Sequence, residues 1–166
     1  MIILIVLVLL LIILKNKDHS KEISETEIQK VSNEAERKEK NAILEKLYKM
    51  NEQDRINYYC AEFFKLIDKK QYEKAYSFLY DEYKENYFPT LASFKRYFND
   101  YFPDDITLNF SNIERLGEIY VLWVDVKDTL NGIELGHNFS MNVVIKENDY
   151  NDFVLSFSRN SAVKEN

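Results

Sequence analysis

Few residues in this sequence could carry out chemistry, and each lies apart from the partners that its chemistry requires. The chain contains 2 histidines and 1 cysteine. A metal site needs several converging ligands, but no HxH, HExxH or CxxC pattern accompanies His137, which we expect at the surface. Cys60 lies on an apolar helical face, where a thiol without a basic partner behaves as a small hydrophobe. The sequence therefore predicts no catalytic, cofactor-binding or metal-binding residue.

Asp125 is the best single candidate for an acid or a base. It shares one face of a very apolar predicted strand with Val121 and Trp123. A carboxylate that aromatic rings desolvate can have a raised pKa and act as a base. The alternative is that the strand emerges into solvent at Asp125, with Lys127 nearby, and this is the arrangement that we expect.

The aromatic side chains are a second possible source of function. The chain has 12 tyrosines and 11 phenylalanines, many of them at helical spacing between Tyr58 and Phe102. Such stripes could line a ligand pocket, but they more often form a core with tyrosine hydroxyls at its rim. We expect a core here. The glycosylation sequons at Asn109 and Asn138 lie inside predicted strands, and we interpret them as chance matches.

The charge distribution argues against nucleic acid as a partner. Residues 1–50 carry 9 basic and 8 acidic side chains, whereas residues 51–166 carry 13 basic and 20 acidic ones. An acidic globular part repels phosphate backbones and lacks the basic footprint of a nucleic-acid-binding protein.

Residues 1–15 predict a single-pass membrane anchor. The segment 1–14 is entirely apolar and is followed by Lys15 and Lys17. At that length a helix spans roughly 21 Å, less than the roughly 30 Å of a hydrocarbon core, so the anchor is short or the true start lies upstream. A cleaved signal peptide and a buried core helix are the alternatives. An all-apolar helix flanked by lysines is better solvated by lipid than by a small core, which favours the anchor.

The residues after the anchor predict a stalk, a globular domain and a short tail. Residues 16–50, rich in Lys, Glu, Ser and Asn, predict a charged helical stalk. A domain of residues 51–160 follows, and residues 161–166 form a polar tail. The domain is predicted to begin with three helices, at about 52–68, at about 71–85 and in a segment after the N-cap Thr90. Their predicted inner stripes are Ile56, Tyr59, Cys60, Phe63 and Ile67; Tyr72, Ala75, Tyr76, Leu79 and Tyr83; and Leu91, Phe94, Tyr97, Phe98 and Tyr101.

From Ile106 the apolar period changes from 3.6 to 2, which predicts a four-stranded antiparallel meander. The strand at 119–129 is apolar on both faces, as in a central strand that is covered on each side. Asn131-Gly132 predicts a hairpin, with a return strand at about 134–146 and a last strand at 152–159. Helices followed by strands give an α+β fold, with three helices packed on one face of a curled sheet.

Three segments carry a resemblance to a known fold: LIDKKQYEKAYSFL, NYFPTLASFKRYF and the closing DFVLSFS. Over residues 52–159 the chain resembles the nuclear transport factor 2-like (cystatin-like) α+β cone domains. Within them it is similar to uncharacterised membrane-anchored proteins of low-GC Gram-positive bacteria. The resemblance implies a cone-like sheet and an extracytoplasmic domain, although the lysines after the anchor favour the opposite orientation. The acid–base pair of the enzyme members has no counterpart here, so their activities are not carried over.

These observations lead to three hypotheses about function. The first is a membrane-anchored, non-catalytic domain that binds a protein partner or its own copies, or helps to scaffold an envelope assembly. The second is a domain that binds a small ligand, or acts as a hydrolase or isomerase, through a cavity near Asp125. The third is a component of a secretion or conjugation channel. The sequence favours the first, with the membrane contacted through residues 1–14 and no cofactor.

Overall fold

The computed structural model describes residues 29–160. The predicted anchor and the predicted tail lie outside these residues. The chain divides into two units between Glu45 and Lys46. Helix α1 covers residues 29–49, and its residues up to 42 are all exposed. No helix within residues 29–160 is long and apolar enough to cross a membrane.

Helix α2 (Glu52–Asp68) has the predicted bounds. The Asn51 side chain caps it by accepting a hydrogen bond from the backbone N–H of Asp54 at 2.8 Å. This satisfies one of the free amide groups of the first turn. The inner stripe that the sequence predicts for this helix is buried in full.

The single helix predicted at 71–85 is wrong. Two short helices occupy this region, α3 (Tyr72–Ser77) and α4 (Asp81–Tyr87). Between them Leu79 forms a parallel β-bridge with Leu155. The N–H of Tyr80 donates to the Leu155 carbonyl at 3.0 Å, and the N–H of Leu155 donates to the Phe78 carbonyl at 2.8 Å. The edge of the sheet thus supplies hydrogen bonds that end α3, and no local pattern could reveal that partner.

Helix α5 (Leu91–Tyr101) begins after the predicted N-cap. Thr90 and Ser93 form a reciprocal capping box. Phe98 on this helix is buried as predicted, but Tyr101 is 58% exposed, so its predicted inward position is wrong. Phe102, which follows the helix, packs against Phe98 at a ring-centroid distance of 4.5 Å and takes the inner position instead.

The strands form one antiparallel sheet with the order β1-β2-β4-β5, and β3 pairs with β2 beside this path. The Asn131-Gly132 turn is confirmed, and both of its residues have positive φ angles, 52° and 79°. The predicted return strand is divided into β3 and β4. The bounds are β1 (Ile106–Leu116), β2 (Ile119–Leu130), β3 (Ile133–Glu134), β4 (Phe139–Asp149) and β5 (Asp152–Arg159).

One face of the sheet packs against the helices. The Phe157 ring of β5 lies 5.9 Å from that of Phe63 and 5.5 Å from that of Phe98. On β2, alternate residues are buried on this face, while Val121 and Trp123 on the other face are half-buried. The predicted cover on both faces of β2 is therefore confirmed for one face only. The α+β class and the antiparallel sheet are confirmed. Residues 51–160 contain four helices where three were predicted, and α1 lies within the segment that was predicted as a helical stalk.

Candidate functional site

A groove with a volume of about 460 Å³ lies where α4 passes the β5 edge of the sheet. We call it the tyrosine groove. Its aromatic lining consists of Tyr83, Tyr87, Phe88, Tyr97 and Phe157. Its remaining lining comes from β4 and β5, namely Asn142, Val144, Ser156 and Ser158. The volume falls within the roughly 300–1,000 Å³ range of small-ligand sites.

Helix α4 is held at the sheet edge by hydrogen bonds that no local sequence pattern specifies. The Tyr83 hydroxyl donates to the backbone carbonyl of Phe157. The Tyr76 hydroxyl donates to the carbonyl of Phe88 at 2.8 Å, which fixes the chain just after α4. Because β5 is an edge strand, the Phe157 carbonyl can accept a hydrogen bond from the Tyr83 hydroxyl. The break between α3 and α4 therefore allows Tyr83 and Phe88 to lie beside β5, where they line the groove.

The strand side of the groove is polar because of the alternation of side chains along β4 and β5. Residues 141, 143, 153, 155 and 157 are buried in the core, and the intervening side chains point to the other face. Register places Asn142 opposite Ser158 and Val144 opposite Ser156. Within residues 29–160 neither serine hydroxyl makes a hydrogen bond, and Asn142 accepts one long bond of 3.4 Å from Asn160. These groups can donate to a ligand and accept from it.

The electrostatics of the groove are those of a neutral surface. All nine lining residues are uncharged at neutral pH. Burial raises the pKa of the Tyr83 hydroxyl, although its bond to Phe157 opposes this. Burial also raises the pKa of Tyr97, while nearby Arg159 opposes it. Both phenols therefore stay protonated at neutral pH and act as hydrogen-bonding groups.

A second polar cluster, formed by Arg55, Tyr59 and Glu147, joins α2 to the end of β4. Arg55 donates to both carboxylate oxygens of Glu147, at 2.7 and 2.9 Å, and Tyr59 donates to one of them at 2.6 Å. Burial raises the pKa of Glu147, but the bonds from Arg55 and Tyr59 lower it more, so it lies below its ordinary value. The three side chains bond to one another, and the Tyr59 hydroxyl also accepts from the backbone N–H of Asn151 at 3.0 Å. This cluster is a structural lock rather than a reactive site.

Comparisons with protein-family models, with curated proteins and with solved structures give no match. The groove is therefore characterised by its own geometry.

The candidate residues from the sequence lie outside the tyrosine groove. Asp125 is partly exposed on the sheet face opposite the helices, where it accepts a hydrogen bond from Ser140 at 2.6 Å. His137 is exposed, and its Nδ1 atom lies 3.0 Å from Oδ2 of Asp128. Cys60 is fully buried, and burial raises the pKa of its thiol. Among residues 29–160, no group of three or more His, Cys, Asp or Glu side chains could hold a metal ion.

Sequence reasoning found part of the groove and missed part of it. Tyr83 and Tyr97 were predicted on inner stripes, and both are half-buried. The sequence alone does not single out Asn142 and Ser158, because polar residues that alternate along a strand usually face solvent. The signal that could have found them is a polar pair brought opposite each other by the turn before β5. The sequon residue Asn138 lies just before β4 rather than inside a strand.

Proposed function

We propose that the globular part of this chain is a non-catalytic binding domain, tethered to a membrane through residues 1–14, that holds a small uncharged ligand in the tyrosine groove. The observation that carries the proposal is the lining of the groove, where aromatic rings meet neutral hydrogen-bonding groups. Binding sites for small molecules combine these two features. The membrane tether rests on the apolar segment of the sequence.

Binding is favoured over catalysis by the chemistry of the groove. General acid–base catalysis uses groups whose pKa values lie near the working pH. The titratable groups of the lining are tyrosines, and the two that are most enclosed, Tyr83 and Tyr97, have raised pKa values. Such phenols hold and orient a ligand without exchanging protons with it.

Neutral aromatic fragments such as p-cresol and benzamide are expected to bind the tyrosine groove of the full chain. Their rings can stack on Tyr87, which is 67% exposed, and we expect Tyr87→Ala to weaken binding by about 1 kcal/mol. The measurement is a titration followed through backbone amide chemical shifts, with saturating changes expected at Asn142, Val144 and Ser156. Tyr48→Ala removes a similarly exposed tyrosine outside the groove and serves as the control. Shifts spread over the whole surface, or none at all, would refute the proposal.

A second candidate function, protein interaction, is favoured by the β2–β3 hairpin. Three large apolar side chains near its tip, Leu130, Ile133 and Leu135, are 56%, 69% and 50% exposed. Exposed apolar residues in a group mark interaction sites on many soluble domains. This surface is the one that best fits a protein partner or a second copy of the chain.

A photo-crosslinking residue at position 133 is expected to give specific adducts in cells that express the full chain. The same residue at position 116 is the matched control, because Leu116 is 57% exposed at the end of β1, where it pairs with Ile119 at the start of β2. Adducts are read by mass spectrometry. Equal labelling from both positions, or none from position 133, would remove this candidate.

A further inference from the structure

The tyrosine groove combines tilted ring faces with a row of neutral polar groups. The rings of Tyr83 and Tyr87 lie 4.9 Å apart, centroid to centroid, with 39° between their planes. The side chains of Asn142 and Ser158, which stand opposite each other on β4 and β5, also line the groove. A ligand in the groove thus meets both aromatic ring faces and neutral hydrogen-bonding groups.

We propose that the ligand of the tyrosine groove is a neutral saccharide. A pyranose ring has a C–H face that can stack on Tyr87 and hydroxyl groups at its rim that can bond to Asn142 and Ser158. Each hydroxyl both donates and accepts, which matches the serine hydroxyls and the carboxamide of the groove. This inference rests on the proposed ligand-binding function and specifies its ligand class.

Two other ligand classes fit the lining less well. A purely apolar ligand would cover Ser156, Ser158 and Asn142 without offering them partners, and buried polar groups without partners are costly. A cationic ligand would lose its hydration without gaining an opposite charge, because the lining residues are all uncharged and the charge near Tyr97 is that of Arg159. A polyhydroxylated neutral molecule avoids both costs.

A peptide is disfavoured by the state of the β5 edge beside the groove. Extended peptides bind such edges by adding a strand through main-chain hydrogen bonds. Here the N–H of Leu155 already donates to Phe78, and its carbonyl accepts from Tyr80. The carbonyl of Phe157 accepts from Tyr83. Three of the hydrogen-bonding groups that a peptide strand would use are therefore already occupied within the chain.

The test uses the full chain in a zwitterionic detergent that has no sugar headgroup. Neutral trisaccharides of glucose, mannose, galactose and N-acetylglucosamine are titrated, and amide chemical shifts and binding heats are recorded. At least one trisaccharide is expected to give saturable shifts at Asn142, Val144, Ser156 and Ser158. We expect Tyr87→Ala to raise its Kd by at least about tenfold, the scale of losing a main contact.

A second pair of variants separates the stacking and hydrogen-bonding contributions. Asn142→Ala is expected to raise the saccharide Kd by about fivefold, the scale of one lost hydrogen bond, and to leave the Kd of p-cresol unchanged. Tyr48→Ala should leave both unchanged. Because Asn142 is half-buried at a sheet surface, its alanine variant should keep the fold, and amide spectra check this directly.

The outcomes distinguish this inference from the function on which it rests. Binding of p-cresol in the groove without binding of any trisaccharide overturns the saccharide inference and leaves the ligand-binding function standing. If neither p-cresol nor any trisaccharide binds, both the saccharide inference and the ligand-binding function are overturned. Saccharide binding that Tyr87→Ala does not weaken also overturns the inference, because the contact would then lie elsewhere.

Discussion

Replacing Phe98 with alanine is expected to lower the free energy of unfolding by about 3–5 kcal/mol, the range found when a buried phenylalanine is truncated. Phe98 is 2% exposed. Its ring lies 4.9 Å from Phe94, 4.5 Å from Phe102 and 5.5 Å from Phe157, measured between centroids. These partners come from α5, from the segment after it and from the last strand. A cavity at Phe98 would thus open the junction between the helices and the sheet.

The matched control is Tyr101→Ala on the same helix. Tyr101 is 58% exposed, so its removal should cost less than about 1 kcal/mol. Chemical unfolding followed by the fluorescence of Trp123, the only tryptophan, measures both variants. Similar losses for the two variants would contradict a buried Phe98 and an exposed Tyr101 on α5.

Replacing Glu147 with glutamine is expected to lower the free energy of unfolding by about 2–3 kcal/mol at pH 7. The side chains of Arg55 and Glu147 are only 12% and 14% exposed, so removing the carboxylate charge leaves a nearly buried guanidinium without its counter-charge. Tyr59 would also lose its charged acceptor. Glutamine keeps the volume of the side chain, which limits the change to charge and hydrogen bonding.

The effect of Glu147→Gln should depend on pH in a defined direction. The folded pKa of Glu147 lies below its ordinary value, so the carboxylate stabilises the fold above pH about 4.5, and this is lost as pH falls through the folded pKa. The difference between the original chain and the variant should therefore shrink at pH about 3. Glu118→Gln is the control, since Glu118 is 83% exposed beside Lys146 and its pair should contribute less than about 1 kcal/mol. A difference that persists undiminished at low pH would contradict the role of the carboxylate.

The elements that the sequence predicts well are those whose signals are local. Helix α2 has its expected bounds because Asn51 caps it and its apolar residues keep a helical period. The hairpin at Asn131-Gly132 follows from two residues that tolerate positive φ. The last strand is also found where predicted, at 152–159. In each case the determining residues lie next to one another in the chain.

The features that the sequence could not predict depend on distant partners. Residues 78–80 leave the helical pattern because Leu155, far along the chain, offers hydrogen bonds at the sheet edge. Tyr101 faces outward because Phe102 takes the inner position against Phe98 and Phe64. The tyrosine groove has one part that the sequence indicates and one part that it does not. Its tyrosines were visible as stripes, but its polar wall exists only through the pairing of β4 with β5.

The pairing of residues 78–80 with β5 also bears on how the protein avoids aggregation. Unpaired sheet edges recruit strands from other molecules, and natural proteins protect them. One edge of this sheet is occupied by the chain itself, and in the described part of the chain the outer edge of β1 remains unpaired. A β-bulge between Phe110 and Asn112 interrupts β1, and the charges of Glu114 and Arg115 follow it. The fold thus closes one edge and distorts the other, which leaves no long regular edge for edge-to-edge association between copies.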